Sequence, residues 1–221
     1  MRRHIGPAGA LAALAVCAGC MSVEIETRAD RQGGGTRDYT VILHPSLATT
    51  YESARRDGEV FSLPGDALLD KPGVSLVSRS EARDSGGFLA VVKSFRADRL
   101  ADASTAGDSI SYSVAREGLR LSYRYREHYL ATRADTGGAG EERYRFRHSL
   151  RLPGRMLRSD ADSLVDGAAV WSRPMSRVRA EGVVMTAESG ELDRLALAVL
   201  AGAALAAALL VIIAVVPRRR P

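Results

Sequence analysis

Apolar and polar residues alternate along most of this chain, and the alternation breaks at glycines. That is the pattern of antiparallel hairpins with one buried face. Val23, Ile25 and Thr27 alternate with Glu24, Glu26 and Arg28; RQGGGT then turns the chain, and Tyr39, Val41 and Leu43 resume the pattern, which predicts a first hairpin. GVSLVSRSEARDSGGFLAVVKSF predicts a second, turning at Ser85-Gly86-Gly87, and SISYSVAREGLRLSYRYREHYLATR a third, turning at Glu117-Gly118. Further strands are expected in EERYRFRHSLRLPGRML after Thr136-Gly137-Gly138, in GAAVWSRP and in GVVMTAES. SLATTYESARR reads as a short helix capped by Ser46 and closed by Asp57-Gly58, and DRLADAST as another. The expected fold class is α+β, β-dominant: antiparallel hairpins with one or two short helices, plus a single C-terminal transmembrane helix. No repeat at solenoid spacing interrupts it.

That last element comes from a different pattern. Leu195 to Val216 reads LALAVLAGAALAAALLVIIAVV without a charged or polar side chain, and a helix of that length covers the roughly 30 Å hydrocarbon core of a bilayer. Pro217 and Arg218 to Arg220 follow it, while Glu188, Glu191 and Asp193 precede it. The positive-inside rule therefore puts the C-terminus in the cytoplasm. Only Gly190 to Arg194 is expected to separate the last strand from this helix, so the folded body sits close to the bilayer. Within the helix, Ala198, Gly202 and Ala206 form a small-xxx-small face.

The other end is basic, then apolar: Met1-Arg2-Arg3-His4 leads into an alanine-rich run from Ile5 to Gly19, too short to span and arranged like a secretory signal peptide. The chain's only two cysteines, Cys17 and Cys20, lie at the end of that run. Ala18-Gly19-Cys20 fits the small-residue-then-cysteine site at which bacterial lipoproteins are cleaved and acylated; Cys17 stands where leucine is usual. Acylation at Cys20, ordinary signal-peptidase cleavage nearby and an uncleaved anchor are the three outcomes this leader allows. A zinc site would need a second ligand pair, and a thioredoxin-type site a strand-to-helix context; the sequence offers neither. The expected organisation is a signal peptide over 1–19, an extracytoplasmic domain over 20–193, a transmembrane helix over 194–217 and a basic tail over 218–221, in a bacterial cytoplasmic membrane. The domain is large enough for one real core.

Charge changes the picture once the ends are set apart. The formal net charge is +5, from 31 basic and 26 acidic residues, but Arg2, Arg3 and Arg218 to Arg220 belong to the topology signals. The remainder is balanced, which argues against a nucleic-acid partner. Lys71 and Lys93 are the only lysines and asparagine is absent, so arginine carries almost all the positive charge and no N-glycosylation sequon exists.

The lipobox-like Cys20, the hairpin with Gly33 to Gly35, Leu152-Pro153-Gly154, the DGAAVW strand from Asp166 to Trp171 and the terminal span with its arginine tail resemble the LppM-type membrane lipoproteins. The resemblance covers nearly the whole chain and rests on order and architecture. It implies a non-catalytic α+β ectodomain on the outer face that handles lipids or envelope glycolipids, and it carries over no site residue beyond Cys20.

The most distinctive candidate chemistry lies on two long strands. Leu119, Leu121, Tyr123 and Tyr125 alternate with Arg120, Arg124 and Arg126; Tyr144, Phe146, Leu150 and Leu152 alternate with Arg143, Arg145, Arg147 and Arg151. Paired across the Gly-rich loop, these strands would present one aromatic face and one arginine field, suited to phosphate or carboxylate head groups. The plainer alternative is a solvated face neutralised by carboxylates of neighbouring strands. GDSIS at Gly107 to Ser111 superficially matches an esterase nucleophile block, but no histidine follows an aspartate at the required spacing, so a turn into a strand is the better account. Asp160, Asp162 and Asp166 before Gly167 lack the spacing of a calcium loop and read as a polar hairpin turn. His44, His128 and His148 are scattered on expected strands, which disfavours a metal cluster. The expectation is therefore a protein that is no enzyme and takes no cofactor or metal. Its partners are the membrane and either an amphiphile, lipid or glycolipid, or a membrane protein for which it serves as accessory or assembly subunit.

Overall fold

The structure is a computed structural model and describes residues 21–131 and 144–215. The leader with Cys17 and Cys20, the Thr136-Gly137-Gly138 turn, Arg143 and the basic tail lie outside the described residues.

All three predicted hairpins are present. β1 (Met21–Ala29) pairs with β2 (Gly35–Leu43), β3 (Val74–Arg83) with β4 (Leu89–Ala97), and β5 (Asp108–Glu117) with β6 (Arg120–Tyr129), each antiparallel. β7 (Arg145–Arg151) and β8 (Arg155–Ser159) flank Leu152-Pro153-Gly154; β9 (Ser163–Val165) and β10 (Ala168–Pro174) enclose the Asp166-Gly167 turn; β11 (Val183–Leu192) comes last. The strands form two sheets, ordered β3-β4-β2-β1-β7-β10-β9 (sheet A) and β5-β6-β11-β8 (sheet B). One pairing departs from the antiparallel expectation: β1 and β7 run parallel, which the long connection through sheet B permits.

The inward phase of each strand supplies the core. Val23, Ile25, Tyr39, Phe95, Phe146, Leu150 and Trp171 of sheet A are buried with Tyr125, Met185 and Ala187 of sheet B. Beyond the reach of sheet B, the same face of sheet A is covered by helix α1 (Pro45–Arg56), whose Leu47, Ala48 and Tyr51 pack on Val41, Leu43, Leu89 and Val91. Pro45 at the first helical position pre-sets the backbone, and the helix is capped by His44, whose Nδ1 accepts from the Ser46 amide, and not by Ser46 itself. This also takes His44 off any strand. DRLADAST yields only a 3-10 turn over Leu100–Ala103. The second short helix is instead α2 (Met175–Glu181), which the periodicity does not signal.

The junction with the apolar helix is tighter than the sequence suggests. β11 runs on to Leu192 and helix α3 (Arg194–Val215) starts two residues later, so Asp193 is the whole connector. Its amide donates to the Leu119 carbonyl at 2.8 Å, its Oδ1 accepts from the Leu195 and Ala196 amides at 3.0 and 3.1 Å, and its other carboxylate oxygen pairs with Arg116. This is an N-cap built onto the end of an inner strand of sheet B. Gly154 sits beside it in a left-handed conformation (φ 76°), where a Cβ would lie 2.5 Å from the Gly190 carbonyl oxygen. α3 is exposed along its described side chains and is the one helix among the described residues long and apolar enough to cross a membrane.

Candidate functional site

The two arginine-bearing strands do not pair with each other. β6 lies between β5 and β11 in sheet B, whereas β7 lies between β1 and β10 in sheet A. They meet face to face: Tyr129 packs edge-on against Phe146 (5.1 Å between ring centres) and Tyr125 against His148 (6.2 Å). The alternating residues sort as the pattern requires, aromatics inward and arginines outward. Because each strand belongs to a different sheet, the arginines point to opposite sides of the molecule.

On the sheet A side, Arg145, Arg147 and Arg151 are exposed next to β1. Arg147 lies opposite Glu24, and Arg151 opposite Arg28, which is itself paired with Glu26 at 2.8 Å. A shallow depression of about 330 Å³ on this face collects Arg147 and Arg151 with Glu24, Glu26 and Asp38. This half of the expected field is charge-mixed.

On the sheet B side, Arg120, Arg124 and Arg126 gain neighbours that the sequence reading did not include. Across β11 lie Arg155, opposite Gly190, and Arg158, opposite Glu188. Arg124 shares Glu117 and Glu188, each at 3.5 Å. Among the described residues, Arg120, Arg126, Arg155 and Arg158 form no ion pair, and no helix covers this face. The signal for Arg155 and Arg158 was the RMLRS strand itself, but its placement beside β11 depends on a pairing that alternation does not encode.

At the outer edge of sheet B, where β8 and β9 diverge, a groove of about 870 Å³ opens between the two sheets. Met156, Leu157, Ala161, Leu164 and Ala187 give it an apolar lining, and Arg124 and Arg158 stand at its rim. Its floor is fixed by Asp160, which accepts from Trp171 Nε1 at 2.9 Å and from the Thr186 amide at 2.8 Å. Asp162 accepts from the Ser172 amide at 2.8 Å and pairs with Arg173, which holds it below the usual carboxylate range. Both carboxylates are thus committed to protein donors in the polar turn, and no group of three or more metal-ligating side chains exists among the described residues.

Between the sheets lies a cluster of polar groups that the sequence reading did not single out. Arg37, 1 % exposed, pairs with Glu127 and with Asp108 (3.2 Å), and its Nε donates to the Tyr39 hydroxyl at 2.6 Å. The Tyr125 hydroxyl donates to Glu127, and His148 Nε2 is 3.0 Å from the Thr27 hydroxyl. His148 Nδ1 faces Glu127 Oε2 at 3.2 Å, off the line of a hydrogen bond. Burial opposes charge on Arg37, but Glu127 and the two tyrosines outweigh it and hold the guanidinium well above its ordinary value. Burial alone would raise Glu127; Arg37 and His148 bring it below its ordinary value. Burial pushes Asp108 up, and pushes His148 down to about 4, so the imidazole is neutral near pH 7. Arg37, Tyr39, Asp108, Tyr125, Glu127 and His148 are all buried, so the cluster is a structural keystone between the two sheets. GDSIS is absorbed by it in part: Asp108 holds Arg37, while Ser109 is exposed on β5 opposite His128 of β6, with no hydrogen bond between the two among the described residues.

No family model matches the sequence, and no curated protein matches it. Among solved structures, the chain is similar to the folded domain of LppM from Mycobacterium tuberculosis, determined by NMR, with a TM-score of 0.44 and 16% identity over 80% of this chain and 93% of that one. At this level of likeness the comparison carries neither family nor function, and the functional reading rests on the side chains.

Proposed function

We propose that this is a non-catalytic bacterial envelope lipoprotein, tethered by an acylated Cys20 and by α3 across the cytoplasmic membrane, whose ectodomain binds an anionic amphiphile in the groove between β8 and β9. The observation that carries the reading is the joint presence of an apolar lining, Met156, Leu157 and Leu164, and two guanidinium groups, Arg124 and Arg158, at one rim. An acyl chain is taken up by the first and a phosphate or carboxylate head by the second. The groove also starts near the membrane: Met156 is opposite Ser189, four residues before the Asp193 connector. Arg145, Arg147 and Arg151 belong to the other side of the molecule and leave the ligand set of this proposal; Arg143 has no described position.

The test is a titration of the delipidated full chain, in neutral detergent, with a fluorescent single-chain alkyl phosphate. Saturable binding is expected, weakened about tenfold or more in Arg124→Glu/Arg158→Glu and blocked in Leu164→Arg. Equal binding by all three proteins would overturn it. A second reading, an accessory subunit docking a membrane protein, is favoured by the outer face of sheet B, which no helix among the described residues covers, and by an interior filled with the Arg37 cluster. Absence of amphiphile binding together with site-specific crosslinks from that face to one membrane protein would select it.

A further inference from the structure

The outer face of sheet B is basic, and its strand β11 leads directly into α3. β5 contributes Ser109, Ser111 and Ser113, short side chains that leave the arginines of β6 and β8 standing proud. Arg120 and Arg126 lie about 20 Å apart along β6, with Arg155 across β11, and all three are exposed without an ion-pair partner among the described residues. Five arginines of this face, Arg120, Arg124, Arg126, Arg155 and Arg158, outnumber its two carboxylates, Glu117 opposite Arg120 and Glu188 opposite Arg124 and Arg158. Glu191 pairs with Arg31 at 2.6 Å and accepts from Tyr123; Asp193 pairs with Arg116; Glu117 and Glu188 both lie beside Arg124.

Two constraints lay the sandwich along the bilayer, and the excess of arginines over carboxylates selects this face of it. Asp193 alone joins β11 to α3, so sheet B cannot move away from the membrane on a linker. β1 begins at Met21 and its far end, the Asp30 to Gln32 turn, is the part that reaches Glu191 beside α3. Met21 is thus at the end of the sandwich opposite the helix, roughly 25 to 30 Å away along a nine-residue strand. With Cys20 acylated and adjoining Met21 directly, both ends of the sandwich are held at one bilayer surface, and its long axis lies along that surface.

We propose that the outer face of sheet B is a membrane-docking surface, in which Arg120, Arg126 and Arg155 bind anionic headgroups of the bilayer that α3 crosses. This rests on the reading of α3 as a membrane span and of Cys20 as acylated. The arginines used are distinct from Arg124 and Arg158 at the groove, so the two proposals fail separately. Guanidinium groups bind phosphate bidentately and the attraction to a charged leaflet falls away within a Debye length, so contact distance is decisive.

The experiment uses the full acylated chain in nanodiscs of neutral or anionic phospholipid, carrying an environment-insensitive fluorophore on Ser111→Cys (sheet B face) or Thr40→Cys (sheet A face). Quenching by headgroup spin-labelled lipid is read out. Several-fold stronger quenching of the Ser111→Cys label than of the Thr40→Cys label is expected in anionic discs. It should be lost at high salt and in Arg120→Gln/Arg126→Gln/Arg155→Gln, which retains alkyl phosphate binding. Equal quenching at the two positions, or quenching indifferent to lipid charge and to the triple variant, overturns the proposal. Suppression by millimolar inorganic phosphate at constant ionic strength would assign the face to a soluble anion and overturn it as well. Release of the chain by alkaline extraction would show instead that the membrane-span reading has failed, and the docking surface with it.

Discussion

Glu127 and His148 face each other across the two sheets with 3.2 Å between Oε2 and Nδ1, both without measurable exposure. Arg37 neutralises the carboxylate from the other side, and burial of the ring, with Arg37 adding to it, leaves the imidazole uncharged. Three strands from two sheets, β2, β6 and β7, therefore depend on one charge arrangement for their alignment.

The consequence is a pH dependence of stability with a definite sign. His148 titrates near 4 in the folded protein against 6.5 in the unfolded chain. Between those values the unfolded state binds the extra proton, so the contribution is present in full above pH 6.5 and is lost as the pH falls toward 4. The loss amounts to about 3 kcal/mol. Glu127, with its lowered value, adds a further loss at lower pH. Urea midpoints measured from neutral pH down to pH 4 should fall steeply in the wild type; in His148→Gln the dependence above pH 4 should flatten. A wild-type midpoint that stays level across this range would show that the ring is not buried neutral.

Removing the cation alone should be worse than removing the pair. Arg37→Met leaves Glu127 and Asp108 buried beside each other, at a cost of about 3–5 kcal/mol. Adding Glu127→Gln to that variant should restore part of the loss, since a neutral amide needs no counter-ion. The measurement is a double-mutant cycle in urea with a coupling energy well outside additivity. Additive losses would mean that the three groups do not act together.

The three hairpins were legible because alternation and a glycine-bearing turn are both local: residues 74–97 and 108–129 specify strand, turn and strand without reference to the rest of the chain. What joins the hairpins was not. The parallel β1–β7 pairing and the β6–β11 pairing connect segments more than 50 residues apart, and a period of two reports which face is buried, not which edge is neighboured. That is why the arginines of β6 were matched with those of β7, when their true companions are Arg155 and Arg158. The Arg37 cluster did leave a trace. Arg37 precedes Tyr39, Val41 and Leu43 in the inward phase, Glu127 stands between Tyr125 and Tyr129, and His148 between Phe146 and Leu150. Polar residues in the buried phase of three different strands have to meet partners inside, since charges left alone there would be too costly.

Gly154 offers a test of the junction that does not involve charge. Its φ of 76° already disfavours any side chain, and the Gly190 carbonyl occupies the space a Cβ would take. Gly118, in the β5–β6 turn, has a comparable φ of 63° but nothing within 4 Å of that position. Gly118→Ala should therefore cost only backbone strain, about 1 kcal/mol. Gly154→Ala adds a steric clash and should lose clearly more, read as a lower thermal midpoint. Equal effects of the two substitutions would mean that β8 can shift away from β11 at little cost.

The Asp193 connector carries the last prediction. Its carboxylate satisfies two amides in the first turn of α3 and holds Arg116, while its own amide is anchored to Leu119. Asp193→Ala keeps the anchoring amide and removes the rest, at a cost of about 1–2 kcal/mol at the helix start. Asp193→Asn retains a capping oxygen but loses the ion pair, so it should fall between the two. Because the sheet and the helix share this one residue, the effect should be local: amide exchange should quicken several-fold at 195–197 and in the Gly118-Leu119 turn, while β1 and β2 are unchanged. A uniform quickening across both sheets would show that the junction stabilises the whole fold. No change at all would mean that the helix is held by its surroundings and not by its cap.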